Sequence, residues 1–200
     1  MKRIVSVIIV VLHFLQVAHA HDFVVNGIYY NIIQGTKSVE VTREGNSINS
    51  YRGDIEIPST VTLNETKYDV VRIGNHAFDS STRLTSVVIP NSIVNIDYSA
   101  FDGCTNLTAI VLPNSIKNIG DRAFAFTGLT SINIPESVTS IGDAAFTSTP
   151  ITSIIISKSV TSIGGNVFLG CHELTSAIIQ ANITTFSFGF FLKLRKIKIN

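Results

Sequence analysis

Residues 84–106 read LTSVVIPNSIVNIDYSAFDGCTN, and residues 107–128 read LTAIVLPNSIKNIGDRAFAFTG. The same text returns at 129–150 as LTSINIPESVTSIGDAAFTSTP and at 151–173 as ITSIIISKSVTSIGGNVFLGCHE. Residues 174–193 are a degenerate copy, and 194–200 begin another. A period of 22 or 23 residues marks a chain wound into stacked coils. The first, fourth and sixth positions of each unit are apolar: Leu107, Ile110 and Leu112 in one, Leu129, Ile132 and Ile134 in the next. In a strand, the fourth and sixth positions share a face. Pro90, Pro113 and Pro135 end that strand, because proline has no N–H for a ladder. A second apolar pair follows, such as Val138 and Ile141, and then Gly120, Gly142 and Gly164 mark a turn. The pairs Ala100-Phe101, Ala123-Phe124 and Ala145-Phe146 are expected on a short helical or 3₁₀ turn. No single unit can hide its apolar groups. Stacked units bury them in one continuous core, with a column of Phe rings at its centre.

Working outward, residues 21–74 differ from the repeats. Asn26-Gly27 separates two apolar runs and signals a two-residue hairpin. Ser38 to Thr42 alternates as a strand does, the segment 55–58 resembles a first repeat strand, and 61–73 looks like a longer unit containing a hairpin. The whole region reads as an N-terminal cap over the end of the core. At the other end, Lys193, Arg195, Lys196 and Lys198 crowd the last eight residues, while Leu194, Ile197 and Ile199 keep the repeat spacing. Lysines of this kind blunt an exposed sheet edge. A patch for acidic glycans or anionic lipid, or an edge that docks on another protein, are the other two readings. At the start, Lys2-Arg3, an apolar run from Ile4 to Leu15 and Ala18-His19-Ala20 have the form of an export signal cleaved after Ala20. The run falls short of the roughly 20 apolar residues that span a membrane. An uncleaved N-terminal anchor is the alternative.

The repeats LTSINIPESVTSIGDAAF and LTAIVLPNSIKNIGDRAF, and the join FDGCTNLT at 101–108, resemble the BspA-like leucine-rich-repeat family. So do FVVNGIYYNI, YRGDIEIPSTV and VVRIGNHAF nearer the N-terminus. The last repeat departs from the pattern, with Gln180, Phe186 and Ser187 where Pro, Ile and Gly are usual. The resemblance implies a right-handed solenoid with a parallel sheet on one face. The fold class expected is therefore α/β: a β-rich, horseshoe-like leucine-rich-repeat solenoid with short helical turns and an N-terminal β cap. Its divisions are a signal peptide at 1–20, the cap and a first atypical repeat at 21–74, and the repeats at 75–200. The resemblance also implies a surface protein of the kind found in Bacteroidetes-type bacteria and some parasitic protists, which binds host proteins, other bacteria or epithelial cells. It brings no catalytic residues.

Composition is consistent with this. Hydrophobic residues make up 45 % and charged residues 14 %, against about 25 % in an average domain, so the chain can bury a core. Removing Lys2 and Arg3 with the leader leaves 13 basic against 14 acidic residues, a net −1, which argues for no nucleic-acid partner. Cys104 and Cys171 hold the same place in repeats three units apart. At about 4.8 Å per coil they lie roughly 14 Å apart, beyond the reach of a disulfide, so two free thiols are expected. They read as small buried hydrophobes, with a reactive or intermolecular thiol as the alternative. His21, His76 and His172 have no partner at metal-ligand spacing, and the run 172–176, HELTS, lacks the second His of a zinc-protease motif. Asp97, Asp121 and Asp143 recur near the turns and admit three readings, a catalytic pair, a calcium ladder or turn capping, but Gly165 stands where Asp would be next, and capping needs no metal. No nucleophile elbow or phosphate loop is present, and no cofactor is implied. Asn64, Asn106 and Asn182 open sequons that matter only in a eukaryotic secretory pathway.

The third and fifth positions of the first strand point away from the core. The third column is Ser86, Ala109, Ser131, Ser153 and Ser176, and the fifth is Val88, Val111, Asn133, Ile155 and Ile178. This nearly uncharged, partly apolar face is the candidate ligand-binding surface, although stacked β-branched residues also serve simply to stabilise a sheet. The expected function is a secreted or cell-surface binding protein, adhering through protein or glycan ligands to host cells or other microbes. It is not expected to be an enzyme. The alternative is a structural or assembly component of the envelope, self-associating through the C-terminal edge.

Overall fold

The computed structural model describes residues 21–180 and 196–199. The leader and residues 181–195 lie outside these, and with them the end of the degenerate repeat, Lys193, Arg195 and the sequon at Asn182.

Two antiparallel hairpins begin the described chain. β1 (Phe23–Val25) and β2 (Ile28–Ile32) join through Asn26 and Gly27, whose φ values of 50° and 77° form the tight turn that this dipeptide favours. β2 pairs antiparallel with β3 (Ser38–Thr42). β5 (Thr60–Leu63) and β6 (Thr66–Ile73) form a third hairpin around Asn64 and Glu65. β3 and β6 run parallel, and from β6 the ladder passes through β8 (Asn95–Ile96), β9 (Asn118–Ile119), β10 (Ser140–Ile141) and β12 (Ser162–Ile163), all parallel. The N-terminal hairpins are thus continuous with the sheet built by the second apolar pair of each repeat.

The first strand of each repeat behaves differently. β4 (Arg52–Glu56) pairs in parallel with β7 (Arg83–Val88), so the segment at 55–58 does take the place of a first strand. β11 (Ser153–Ile156), β13 (Ser176–Ile179) and β14 (Lys196–Ile199) form a second parallel group. Between the two groups the ladder is interrupted. Residues 107–112 and 129–134 keep the alternation, with Ile110, Leu112, Ile132 and Ile134 buried and Ala109, Val111, Ser131 and Asn133 exposed. Thr130 N–H to Thr108 O, at 3.4 Å, and Thr152 N–H to Thr130 O, at 3.2 Å, are the bonds that link these segments along the stack.

The third side of each coil corrects an expectation. The Ala-Phe segments are not helical, and no helix occurs among the described residues. Each segment instead carries two residues in the left-handed region: His76 and Ser80, Ser99 and Gly103, Arg122 and Phe126, Ala144 and Ser148, Asn166 and Gly170. A helix bonds each N–H to a carbonyl four residues back in the same segment. The left-handed residues here turn theirs outward. In the first four of these coils three N–H groups donate to carbonyls of the next, as when Ser99, Phe101 and Gly103 donate to Asp121, Ala123 and Ala125 at 2.8–2.9 Å. The cost of left-handed backbone without glycine, about 1–2 kcal/mol per residue, is offset by these bonds between coils. Ala144, at φ 53°, makes this testable. Ala144→Gly should raise unfolding stability by about 0.5–1 kcal/mol, measured in urea, because relief of the strain exceeds the added chain entropy. A loss of stability would count against a strained turn.

The core is one continuous column of apolar groups from Phe23 to Ile179. Within it, Phe78, Phe101, Phe124, Phe146 and Phe168 stack face to face, with centroids 4.9, 5.2, 5.6 and 5.8 Å apart and planes within 8° of parallel. Tyr51 continues the column, 4.5 Å from Phe78. Its hydroxyl donates to Thr42 O and accepts from Tyr29 N–H, which fastens the hairpins to the repeats. Burial pushes the Tyr51 hydroxyl well above the usual tyrosine range, so it stays a donor at any pH the fold would meet.

Candidate functional site

The candidate face is the outward side of the first strands. Val88, Val111 and Ile155 are 57 %, 82 % and 54 % exposed, far more than an apolar side chain gains by being in a core. Ala109, Ser131, Asn133 and Ser153 are exposed too, while Ser86, Ser176 and Ile178 are half-buried. All ten residues read from the sequence thus lie on one side of the stack, alternating with buried Val87, Ile110, Ile132, Ile154 and Ala177. Their backbones form no single ladder, because the bonding lapses at 107–112 and 129–134. Where β7 gives way to residues 109–113, a groove of about 470 Å³ opens, lined by Val87, Val88, Ile89, Ala109, Ile110, Val111 and Pro113, with Ser86 and Asn91 at its polar margin. The repeat text does not betray this opening, since the alternation is the same in every unit.

The strand beside the groove has a polar terminus that spacing does not show. Asp54, on β4, accepts bonds from Thr85 Oγ1 and Ser86 Oγ, each at 2.7 Å. These hydroxyls hold its carboxyl below the usual carboxylate range. The partners are 31 and 32 residues away in sequence, and only the coil period brings them together.

The recurring aspartates have structural partners. Asp121 Oδ1 accepts from Asp143 N–H at 2.8 Å, and Asp143 Oδ1 from Gly165 N–H at 2.6 Å, so these carboxylates cap the next turn. Asp97 sits one position earlier in its unit and faces Arg72, 3.4 Å away, which in turn lies 4.0 Å from Glu40. Burial raises its pKa, Arg72 opposes this, and Glu40 adds to it. Among the described residues no three His, Cys, Asp or Glu side chains gather as a metal site. His76 Nδ1 lies 2.9 Å from Asp79 Oδ2, and His172 is exposed.

Both cysteines are free. Each Sγ lies 3.0 Å from a phenylalanine carbonyl of the preceding coil, Phe78 O for Cys104 and Phe146 O for Cys171. Ser81, Thr127 and Thr149 occupy the same place, three residues after the Phe, in the other coils. Thr127 and Thr149 donate from that place to the Phe carbonyl of their own coil, Phe124 O and Phe146 O. The cysteines are therefore small hydrogen-bonding turn residues. Burial pushes the Cys104 thiol up to about 12, and Cys171 is raised for the same reason. Asn64 and Asn106 are exposed in turns. No helix among the described residues is long and apolar enough to cross a membrane.

Comparison with known proteins places this geometry. No curated protein matches the chain. Among solved structures, a leucine-rich repeat protein from Bacteroides ovatus is 34 % identical, with a TM-score of 0.70 over 78 % of this chain and 41 % of its own. A leucine-rich repeat protein from T. pallidum is 28 % identical, with a TM-score of 0.67 over 78 % of this chain and 71 % of its own. The pneumococcal vaccine antigen PcpA shares the fold at 22 % identity and a TM-score of 0.57, over 80 % of this chain and 49 % of its own. This chain thus spans about two fifths of the B. ovatus protein. Residues 71–198 match the BspA type leucine rich repeat region in six copies. The chain belongs to the BspA-type leucine-rich-repeat family.

Proposed function

We propose that the chain is a secreted or cell-surface binding module, and that it takes protein or glycan ligands of host cells or other microbes on the outward face of its first strands. The observation that carries this is Val88, Val111 and Ile155, exposed on one side of the stack with an apolar groove between two of them. Exposed apolar surface of this kind is costly to leave in water and is characteristic of contact surfaces. The neighbouring serines and Asn133 supply hydrogen-bonding groups without charge, which suits an uncharged ligand surface. Family membership supports the reading, and so does the leader-like sequence at 1–20, which would release a chain beginning at His21. The hairpins β1–β3 act as the cap of the core at that end.

Binding to an array of extracellular-matrix proteins, glycans and epithelial cells tests this. The parent chain should bind at least one of them. A Val88→Lys, Val111→Lys variant, with unchanged circular dichroism, should lose at least about tenfold in affinity, since each lysine places a charge in the apolar contact. Equal binding by parent and variant would move the site off this face.

A further inference from the structure

Arg52 on β4 and Arg83 on β7 stand directly opposite one another, and both are exposed beside the buried Tyr51 and Leu84. Like charges placed directly across a strand pair repel. The other three arginines among the described residues each face a carboxylate: Arg43 has Asp79, Arg72 has Asp97 and Glu40, and Arg122 has Asp102. Arg52 and Arg83 have no ion pair and no side-chain hydrogen bond among the described residues. The rest of the sequence holds no Asp or Glu to supply one, because all 14 fall among the described residues. We propose that the two arginines form an anion-binding site, and that its ligand is an acidic glycan bearing sulfate or uronic-acid carboxylate groups.

The strand geometry suits one anion held by two side chains. Neighbouring strands lie about 4.8 Å apart, so both guanidinium forks can close on the oxygens of a single carboxylate or sulfate. Asp54, two residues further along β4, does not neutralise them. The register of β4 and β7 shifts between Gly53 and Asp54, where Gly53 has a φ of 69°. A bulge of this kind re-aims the side chains beside it. Thr85 and Ser86 both reach Asp54 Oδ1 here, each at 2.7 Å, so that carboxylate is engaged by hydroxyls of β7. Glu56 is four residues from Arg52, about 13 Å along the strand.

The surroundings favour a sugar over a peptide. Thr82, Thr85, Asn106 and Thr108 are exposed nearby, and Asn106 takes the place of Arg83 in the next coil, just before the first Leu of its repeat. Uncharged hydroxyl and amide groups match the hydroxyls of a sugar ring. A peptide ligand draws most of its affinity from buried apolar and aromatic anchors. The first exposed apolar side chain along β7 is Val88, five residues or about 16 Å from Arg83. The site rests on the binding reading for its setting, since it shares the outward side of the stack, but it uses none of that face's apolar residues.

The test is isothermal titration calorimetry of the purified chain with a heparin hexasaccharide, an oligogalacturonate, a neutral cello-oligosaccharide and oligoglutamate. The two acidic glycans should bind, less tightly as salt rises, and the neutral sugar and oligoglutamate should bind at least about tenfold more weakly. Arg52→Gln with Arg83→Gln should weaken acidic-glycan binding at least about tenfold. Arg52→Lys with Arg83→Lys keeps the charge but not the forks, and should weaken it about threefold or more. Lys37→Gln with Lys67→Gln, which removes two exposed charges elsewhere, should leave it unchanged. The glutamine pair should be no less stable to urea than the parent, because it relieves a like-charge contact. If that variant fails to fold, Arg83→Gln alone carries the test. A parent that binds neither acidic glycan, a glutamine or lysine pair that binds as the parent does, oligoglutamate that binds as tightly as the glycans, or a stability loss in the glutamine pair would each overturn the proposal. Failure of the apolar face shows separately, as unweakened array binding in Val88→Lys, Val111→Lys.

Discussion

Phe124→Ala should be among the most damaging single substitutions in the chain, lowering unfolding stability by about 3–5 kcal/mol. The ring is fully buried and sandwiched between Phe101 and Phe146, with both interplanar angles at or below 3°. Its removal takes away one large buried group and leaves a cavity that cannot collapse, because the backbone of each coil is held to its neighbours by hydrogen bonds on two sides. For a chain of this length the melting temperature should fall by roughly 6–20 °C. Phe124→Leu, which keeps most of the volume but not the stacked ring, should cost about 1.5 kcal/mol or less. Urea and thermal melts of the three proteins read both values. Unchanged stability in Phe124→Ala would remove the aromatic column from the account of what holds the stack together.

Gly142→Ala should cost about 3 kcal/mol, the upper part of the range for overpacking. Gly142 has an ordinary φ, so it is not needed for backbone freedom. It is needed for approach. A Cβ there would lie 2.6 Å from the carbonyl carbon of Gly120 and would overlap Asp121 N and Oδ1. Those atoms are fixed, since Gly142 N–H donates to Ile119 O at 2.8 Å and Asp121 Oδ1 caps Asp143 N–H at 2.8 Å. One methyl group therefore forces two coils apart and strains both bonds. The same urea titration measures it, and a cost below about 1 kcal/mol would mean that the junction can yield.

The alternation in LTSINIP made the buried and exposed sides legible, since the rule of period two needs no knowledge of neighbours. The hairpin at Asn26-Gly27 was legible because the dipeptide itself prefers left-handed backbone. The Ala-Phe turns were misread for a physical reason. Asp, Arg, Ala and Phe in GDRAFAF are compatible with a helix, and nothing about Arg122 or Phe126 announces a positive φ. The available signal was indirect: Gly103 and Gly170 occupy the place of Phe126 in their own coils, and glycine there marks the left-handed position. The lapse of the first ladder was not legible, because strand alternation persists through it. The acceptor role of Asp54 required the register of strands far apart in sequence.

The bonds between the Ala-Phe turns have a consequence for the molecule as an electrical object. At each of four junctions three peptide groups lie along the stack, and all of them direct N–H toward the following coil and C=O toward the preceding one. Peptide dipoles of about 3.5 D aligned in this way add, as they do in an α-helix, whereas those of neighbouring strand residues alternate and cancel. The solenoid therefore carries an axial macrodipole without containing a helix, partly positive toward β14 and partly negative toward β4.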